Sequence, residues 1–216
     1  METTYRIYPN VTLGQNVQIG DFVIVGHPPR GAGPGELPTV IGDNAVLRSH
    51  TVIYAGTVIG NNFQTGHGVV IREQVEIGDD VSIGSYSTIE HRIKIGNNVR
   101  FHGLNVIGEF TEIEEGCWIG PHVSVTNVPH PRCPVNKKCI KGATIRRQAK
   151  VCANATLLPA VEIGEYALVG AGAVVAKDVP RGVVVVGNPA RVVKDVMELE
   201  CPYDLIERPY EVEYSE

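Results

Sequence analysis

No uncharged apolar run in this 216-residue chain approaches the roughly 18 residues that a membrane span requires. The opening residues METTYRIYPN lack the apolar core of a secretion signal. A cytoplasmic protein with no membrane partner is therefore the expectation. Aromatic residues make up only 6% of the chain, and the net charge is −5. Stacking platforms and phosphate attraction are both weak, so no nucleic-acid partner is expected. Leucine is scarce: nine Leu stand against 51 Val and Ile. Leucine suits helices and β-branched residues suit strands, so the chain reads as mostly β. Five cysteines, an odd number without a secretory signal, argue for reduced thiols over a disulfide framework. With 43% hydrophobic and 20% charged residues, disorder is not expected.

What the chain has in abundance is a repeat. Taking every sixth residue from Ile41 gives Leu47, Ile53, Ile59, Thr65, Ile71, Ile77, Ile83, Ile89, Ile95, Phe101, Ile107, Ile113, Ile119 and Val125. Only Thr65 is not large and apolar. Four residues after each of these positions the side chain is mostly small or β-branched, as at Ala45, Thr51, Thr57, Val75 and Ser87. The same phase precedes this run at Leu13, Ile19 and Val25, and resumes from Ile145 to Val175. A period of six fits neither a lone sheet nor a helix. It fits a coil with flat faces, in which each hexad supplies one short strand and one corner. Parallel strands stacked coil upon coil then satisfy the backbone along the stack.

Two insertions break the phase. Ten extra residues fall between Val25 and Ile41, within HPPRGAGPGELPT, and fourteen between Val125 and Ile145, around NVPHPRCPVNKKCIK. With three hexads to a coil, as the resemblance of this repeat to known hexapeptide solenoids implies, Val25 and Val125 would lie on the same third face, so both loops would leave from one corner. They are five coils apart, roughly 24 Å at about 4.8 Å per strand. The first loop reads as a Gly/Pro-rich surface excursion. The second is distinctive in charge. From Gly116 to Val161 there is no Asp or Glu, but there are seven basic residues: Arg132, Lys137, Lys138, Lys141, Arg146, Arg147 and Lys150. Such a stretch on an acidic chain suits a polyanionic ligand.

The repeat, with Gly following Ile at Ile59-Gly60, Ile77-Gly78, Ile83-Gly84 and Ile95-Gly96, resembles that of the hexapeptide-repeat acyltransferases over roughly residues 8 to 195. That resemblance implies an all-β fold, a left-handed parallel β-helix solenoid of about eight triangular coils with two loop insertions. Residues 1–180 would form the solenoid, with loops at about 27–39 and 128–142. Residues 181–216 would form a C-terminal segment with a short helix and an acidic tail.

Within the second loop, the stretch from Trp118 to Pro131 is similar to the catalytic His-Pro segment of galactoside and maltose acetyltransferases. Through Thr126-Asn127-Val128 and Pro131-Arg132 it is still more similar to N-acetyltransferases acting on nucleotide-linked amino sugars. The resemblance makes His130 a candidate general base and Asn127 a candidate hydrogen-bonding partner for substrate or acyl oxygen. A neutral imidazole is chemically suited to take a proton from an attacking amine or hydroxyl. The last coils, from Ile163 to Pro180 and Val186 to Lys194, also resemble the family. There acetyl-CoA lies between subunits of a homotrimer. By that likeness Ala153, Gly170, Ala171 and Gly172 would line the pantetheine path, and Lys177 and Arg191 would meet the nucleotide.

The other polar candidates read as structural. His27 and His91 share the corner of the second loop, and His91 reads as a polar corner residue. His50, His67 and His122 fall at another corner. The γ-type carbonic anhydrases share the fold and bind zinc through histidines, but no His-x4-His pair is present here, and no metal is expected. His102 should point outward. Cys117 should be a packed core thiol, and Cys133, Cys139 and Cys201 unpaired thiols. The expected activity is acetyl-CoA-dependent N-acetylation of a small-molecule acceptor, an amino group on a nucleotide-linked sugar. An O-acetyltransferase and a non-catalytic solenoid scaffold are the alternatives.

Overall fold

The structure, a computed structural model, describes residues 4–210. Strands of mostly two residues stack into three parallel sheets that form the faces of a prism. The first face runs from Val11–Leu13 to Glu162–Ile163 in eight strands. The third face runs from Arg6–Ile7 to Val174–Val175 in nine. The second face starts at Gln18–Ile19 and proceeds through Leu168–Val169 to Val183–Val186 and Arg191–Asp195. Between the two loops, partners along each face are 18 residues apart: Ile77 pairs with Ile95, Ile83 with Phe101 and Ile89 with Ile107. Three hexads therefore make one coil.

The hexad positions fill the interior. Ile53, Ile71, Ile89 and Ile107 are fully buried and form one column, and the small fourth-position residues Ala45, Val69, Val75 and Val81 are buried beside the corners. At Thr57 the hydroxyl caps a corner carbonyl, donating to Arg72 O at 2.9 Å. The corner itself has a second six-residue rule. Asn62, Gln74, Asp80, Tyr86, Arg92 and Asn98 all have φ between 56° and 59°. Each lies in the left-handed region, which non-glycine residues enter at a cost. Side chains offset part of that cost at the first corner. Asn44 Nδ2 donates to Asn62 Oδ1 at 3.1 Å, and Asn62 Nδ2 to Asp80 Oδ1 at 2.9 Å.

Thr65, the exception in the repeat, exchanges roles with its neighbour. Phe63 occupies the usual small position and is fully buried, while Thr65 takes the large one. The Thr65 hydroxyl accepts from the Arg48 backbone N–H at 3.0 Å and lies 3.0 Å from Thr51 Oγ1. A Thr65→Val substitution therefore restores the apolar pattern but strands buried polar groups. It should destabilise the fold by about 1–3 kcal/mol, read as a lower urea midpoint.

The C-terminal segment departs from a helix with a tail. Val183–Val186 continues the second sheet, pairing in parallel with Leu168–Val169. Arg191–Asp195 then doubles back antiparallel on Val183–Val186. The β-branched Val192 and Val193 favour this strand over a helix. A three-residue 3₁₀ turn, Val196–Glu198, follows, with Asp195 and Glu198 forming a capping box. Of the acidic tail, residues 211–216 lie outside the described residues.

Candidate functional site

Both loops leave the third corner, one after Ile24–His27 and the other after Ser124–Val125. The second loop has a closed neck: Lys141 N donates to Asn127 O at 3.0 Å, and Ala160 N donates to Lys141 O at 3.2 Å. Lys141 thereby resumes the corner that Asn127 leaves. Asn127 is half-buried, stacked on the preceding coil. A Cβ built on Gly108 would lie 3.3 Å from the Asn127 side chain. His130 is exposed, and its backbone carbonyl accepts from Cys133 N–H at 3.2 Å.

The seven cations do not form one patch. Arg132, Lys137, Lys138 and Lys141 are exposed on the loop. Arg146 lies on the first face between Glu114 at 2.8 Å and Glu162 at 2.7 Å, which hold its proton more tightly than usual. Arg147 lies over Tyr166, and Lys150 lies over Tyr210 on the second face. A ligand approaching the loop meets four cations, with the other three engaged elsewhere.

The small residues lie along the second corner. Gly172 N donates to Ala153 O at 2.8 Å across adjacent coils. Ala171 and Gly172 are exposed, and a Cβ on Gly172 would meet nothing within 4 Å. This edge leaves room for a thin chain. Gly170 is buried, and its Cβ would fall 2.7 Å from Val186 Cγ1, so close packing accounts for that glycine. Lys177 is exposed at the third corner of the last coil. Arg191 is exposed beyond the second corner, with Nη1 on Ala190 O at 2.8 Å. The sequence-derived candidates thus fall on two edges. Asn127, His130 and Lys177 mark the third, and Ala153, Gly170, Ala171, Gly172 and Arg191 the second. One chain does not bring the two sets together.

Below Asn127 the third corner carries a polar column that hexad-by-hexad reading missed. Glu73, His91, Glu109 and Asn127 follow one another at 18-residue intervals, one per coil. That spacing was the available signal. His91 Nε2 lies 2.7 Å from Glu109 Oε1, and Arg92 Nη1 lies 3.3 Å from the same oxygen. The next coil down holds Glu73, bonded by Arg72 at 2.9 and 3.0 Å. Burial works to raise the Glu73 carboxyl, but the Arg72 hydrogen bonds and charge override it and hold it below the usual carboxylate range. Glu90 Oε2 is 3.6 Å from Arg72 and 3.7 Å from His91 Nδ1, which is buried without a hydrogen-bond partner.

The remaining histidines have structural surroundings. His27 is flanked by Tyr8 and Tyr54, with ring centroids 5.6 and 5.0 Å away. His67 Nδ1 is 2.8 Å from Ser49 Oγ, and the His50 ring lies against Phe22. His122 is an exposed corner residue with φ 58°. His102 lies outward on the second face against Trp118. Among the described residues no group of three or more His, Cys, Asp or Glu is placed to hold a metal ion. Cys117 is buried, and desolvation pushes its thiol up to about 12. Cys133, Cys139, Cys152 and Cys201 are also free thiols.

Parts of the chain resemble known proteins. Residues 56–91 match the family model for the bacterial transferase hexapeptide (six repeats). An 80-residue segment is 41% identical to 2,3,4,5-tetrahydropyridine-2,6-dicarboxylate N-acetyltransferase of Clostridium perfringens, covering 37% of this chain and 31% of that protein. A 48-residue segment is 50% identical to the enzyme of the same name from Staphylococcus aureus, covering 22% of this chain and 20% of that one. The chain thus spans less than a third of the length of these curated relatives. Among solved structures, the polySia-specific acetyltransferase NeuO matches with a TM-score of 0.54 at 19% identity, over 90% of this chain and 88% of that one. LpxA, a UDP-N-acetylglucosamine acyltransferase from Bacteroides fragilis, matches with a TM-score of 0.52 at 19% identity, over 89% and 73%. The shared architecture is the left-handed parallel β-helix.

Proposed function

From a left-handed β-helix built on the transferase hexapeptide, we propose that this chain is an acetyl-CoA-dependent acyltransferase that N-acetylates an amino group of a nucleotide-linked sugar. The observation that carries the reading is the second loop. Four exposed cations rise from the neck at Asn127, on a chain whose net charge is negative. The phosphates of coenzyme A, or of a nucleotide-linked acceptor, are the complementary charge. The N-acetyltransferase relatives and the open second edge beside Ala171 and Gly172 support it further.

The site is completed in a homotrimer. The second edge of one protomer, with Ala153, Gly170, Ala171, Gly172 and Arg191, faces the third edge of the next, with Asn127, His130 and Lys177. The pantetheine arm lies along the small residues, and the nucleotide end meets Lys177 and Arg191. In the reaction the acceptor nitrogen attacks the thioester carbonyl carbon. Its lone pair forms the C–N bond, and the C–S pair leaves on sulfur. His130 takes a proton from the attacking nitrogen and passes it to the departing thiolate. Asn127 offers its side-chain amide to the acyl oxygen.

Calorimetric titration with coenzyme A tests donor binding, and the absence of a binding isotherm would leave only a scaffold. Thiol release with a panel of amino-sugar nucleotides, amino dicarboxylates and sugar alcohols separates N- from O-transfer. His130→Ala should lower kcat by about 100-fold or more while coenzyme A affinity holds. An unchanged rate removes His130 from the chemistry and leaves the transfer reading intact.

A further inference from the structure

An amine acceptor reaches the site as an ammonium, and two of its protons must leave before the amide and free thiol are formed. His130 accounts for one of them. We propose that Glu109 receives the other: it binds the acceptor ammonium and accepts its first proton, with His91 as its positioning residue. This rests on the acyltransfer reading above and narrows the acceptor to a cationic amine.

Geometry carries the assignment. Glu109 lies one coil below Asn127, and the side chain of Asn127 stacks on Gly108, the residue before it. The Glu109 side chain is only 12% exposed. Its two oxygens are used differently. Oε1 accepts from Arg92 Nη1 at 3.3 Å and lies 2.7 Å from His91 Nε2. Oε2 accepts no hydrogen bond from any described residue. Every other glutamate of this corner is committed differently. Glu73 is bonded through both oxygens by Arg72, and Glu90 lies 3.6 Å from Arg72. Glu109 is thus a largely buried carboxylate with one oxygen fixed and one open, on the coil next to the loop neck.

An acceptor hydroxyl carries no charge for such a group to match, whereas an ammonium does. The proton balance closes. The ammonium gives one proton to Glu109 Oε2 and becomes a nucleophilic amine. The second leaves through His130 with the coenzyme A thiol when the C–N bond has formed. Glu109 then returns its proton to solvent. His91 touches neither substrate nor thioester. It fixes Oε1 so that Oε2 stays open.

The test measures amine acetylation by thiol release, with coenzyme A calorimetry and melting temperature on the same samples. Glu109→Gln keeps the shape and removes the charge. It should lower kcat/KM for the amine about 100-fold or more, with coenzyme A affinity and melting temperature unchanged. His91→Ala should lower the rate with an intact fold. His91→Gln, which keeps a side-chain N–H, should recover part of it, a rescue that a purely structural role would not give. Glu109→Gln with an amine rate within about threefold of the wild type overturns the role of Glu109 and leaves acyl transfer standing. A wild-type chain that binds coenzyme A but acetylates only alcohols also overturns it. A wild-type chain that neither binds coenzyme A nor transfers acetyl overturns both readings.

Discussion

Replacing Phe63 by alanine should destabilise the solenoid by about 3–5 kcal/mol, the range for a large buried aromatic truncated in a core that cannot collapse around the gap. Phe63 is fully buried, at a repeat position where other coils carry Ala45, Val69, Val75 or Val81. It is tolerated because Thr65, two residues on, is small where the neighbouring coils carry Leu47 and Ile83. The two positions hold an ordinary hexad volume in reversed order. The double variant Phe63→Val, Thr65→Ile should therefore recover much of the loss, a non-additivity expected of side chains sharing one space. Urea midpoints of the three proteins check this. A Phe63→Ala midpoint equal to wild type would mean that the interior at this coil is not close-packed.

Introducing tryptophan at Ala171 should lower coenzyme A affinity by about 100-fold, close to 3 kcal/mol. Ala171 is exposed on the second edge, between Gly170 and Gly172 and one coil above Ala153. A bulky indole there fills the path proposed for the thin pantetheine arm. Because the residue is exposed, folding stability should change by no more than about 0.5 kcal/mol. Calorimetry against coenzyme A and a melting curve separate the two effects. Unchanged affinity would move the donor path off this edge.

The period of six made most of the fold readable in advance, because one residue per hexad must point inward and the chemistry of that residue is unambiguous. Ile41 through Val125 mark one inward residue per strand without any tertiary information, and the family resemblance supplies three strands per coil. Other features were hidden by the same regularity. The left-handed corner residues are chemically mixed, from Asn62 to Tyr86 to Arg92, so no residue type marks them. The column Glu73, His91, Glu109 and Asn127 is visible only at an 18-residue stride, and within any one hexad each member passes for a corner residue. The basic stretch was overcounted because the acids that neutralise Arg146, Glu114 and Glu162, lie on other coils and outside the acid-free window. Val183–Val186 looked like the start of an appendage. It follows Val175 after two further corners, and between them the Ile163–Val179 bridge on the first face keeps the stack in register until that strand joins the second.

The reversal of Arg191–Asp195 against Val183–Val186 bears on how these prisms behave in crowded solution. A stack of parallel strands is in principle endless, since each new rung can be supplied by another molecule. Here the last rung runs the wrong way for propagation. The neighbouring rung at Val174 is already engaged, with its N–H on Gly187 O and its carbonyl accepting from Ala190 N–H. The parallel second sheet thereby ends at this pole in an antiparallel strand, so a further molecule cannot continue it there with parallel rungs.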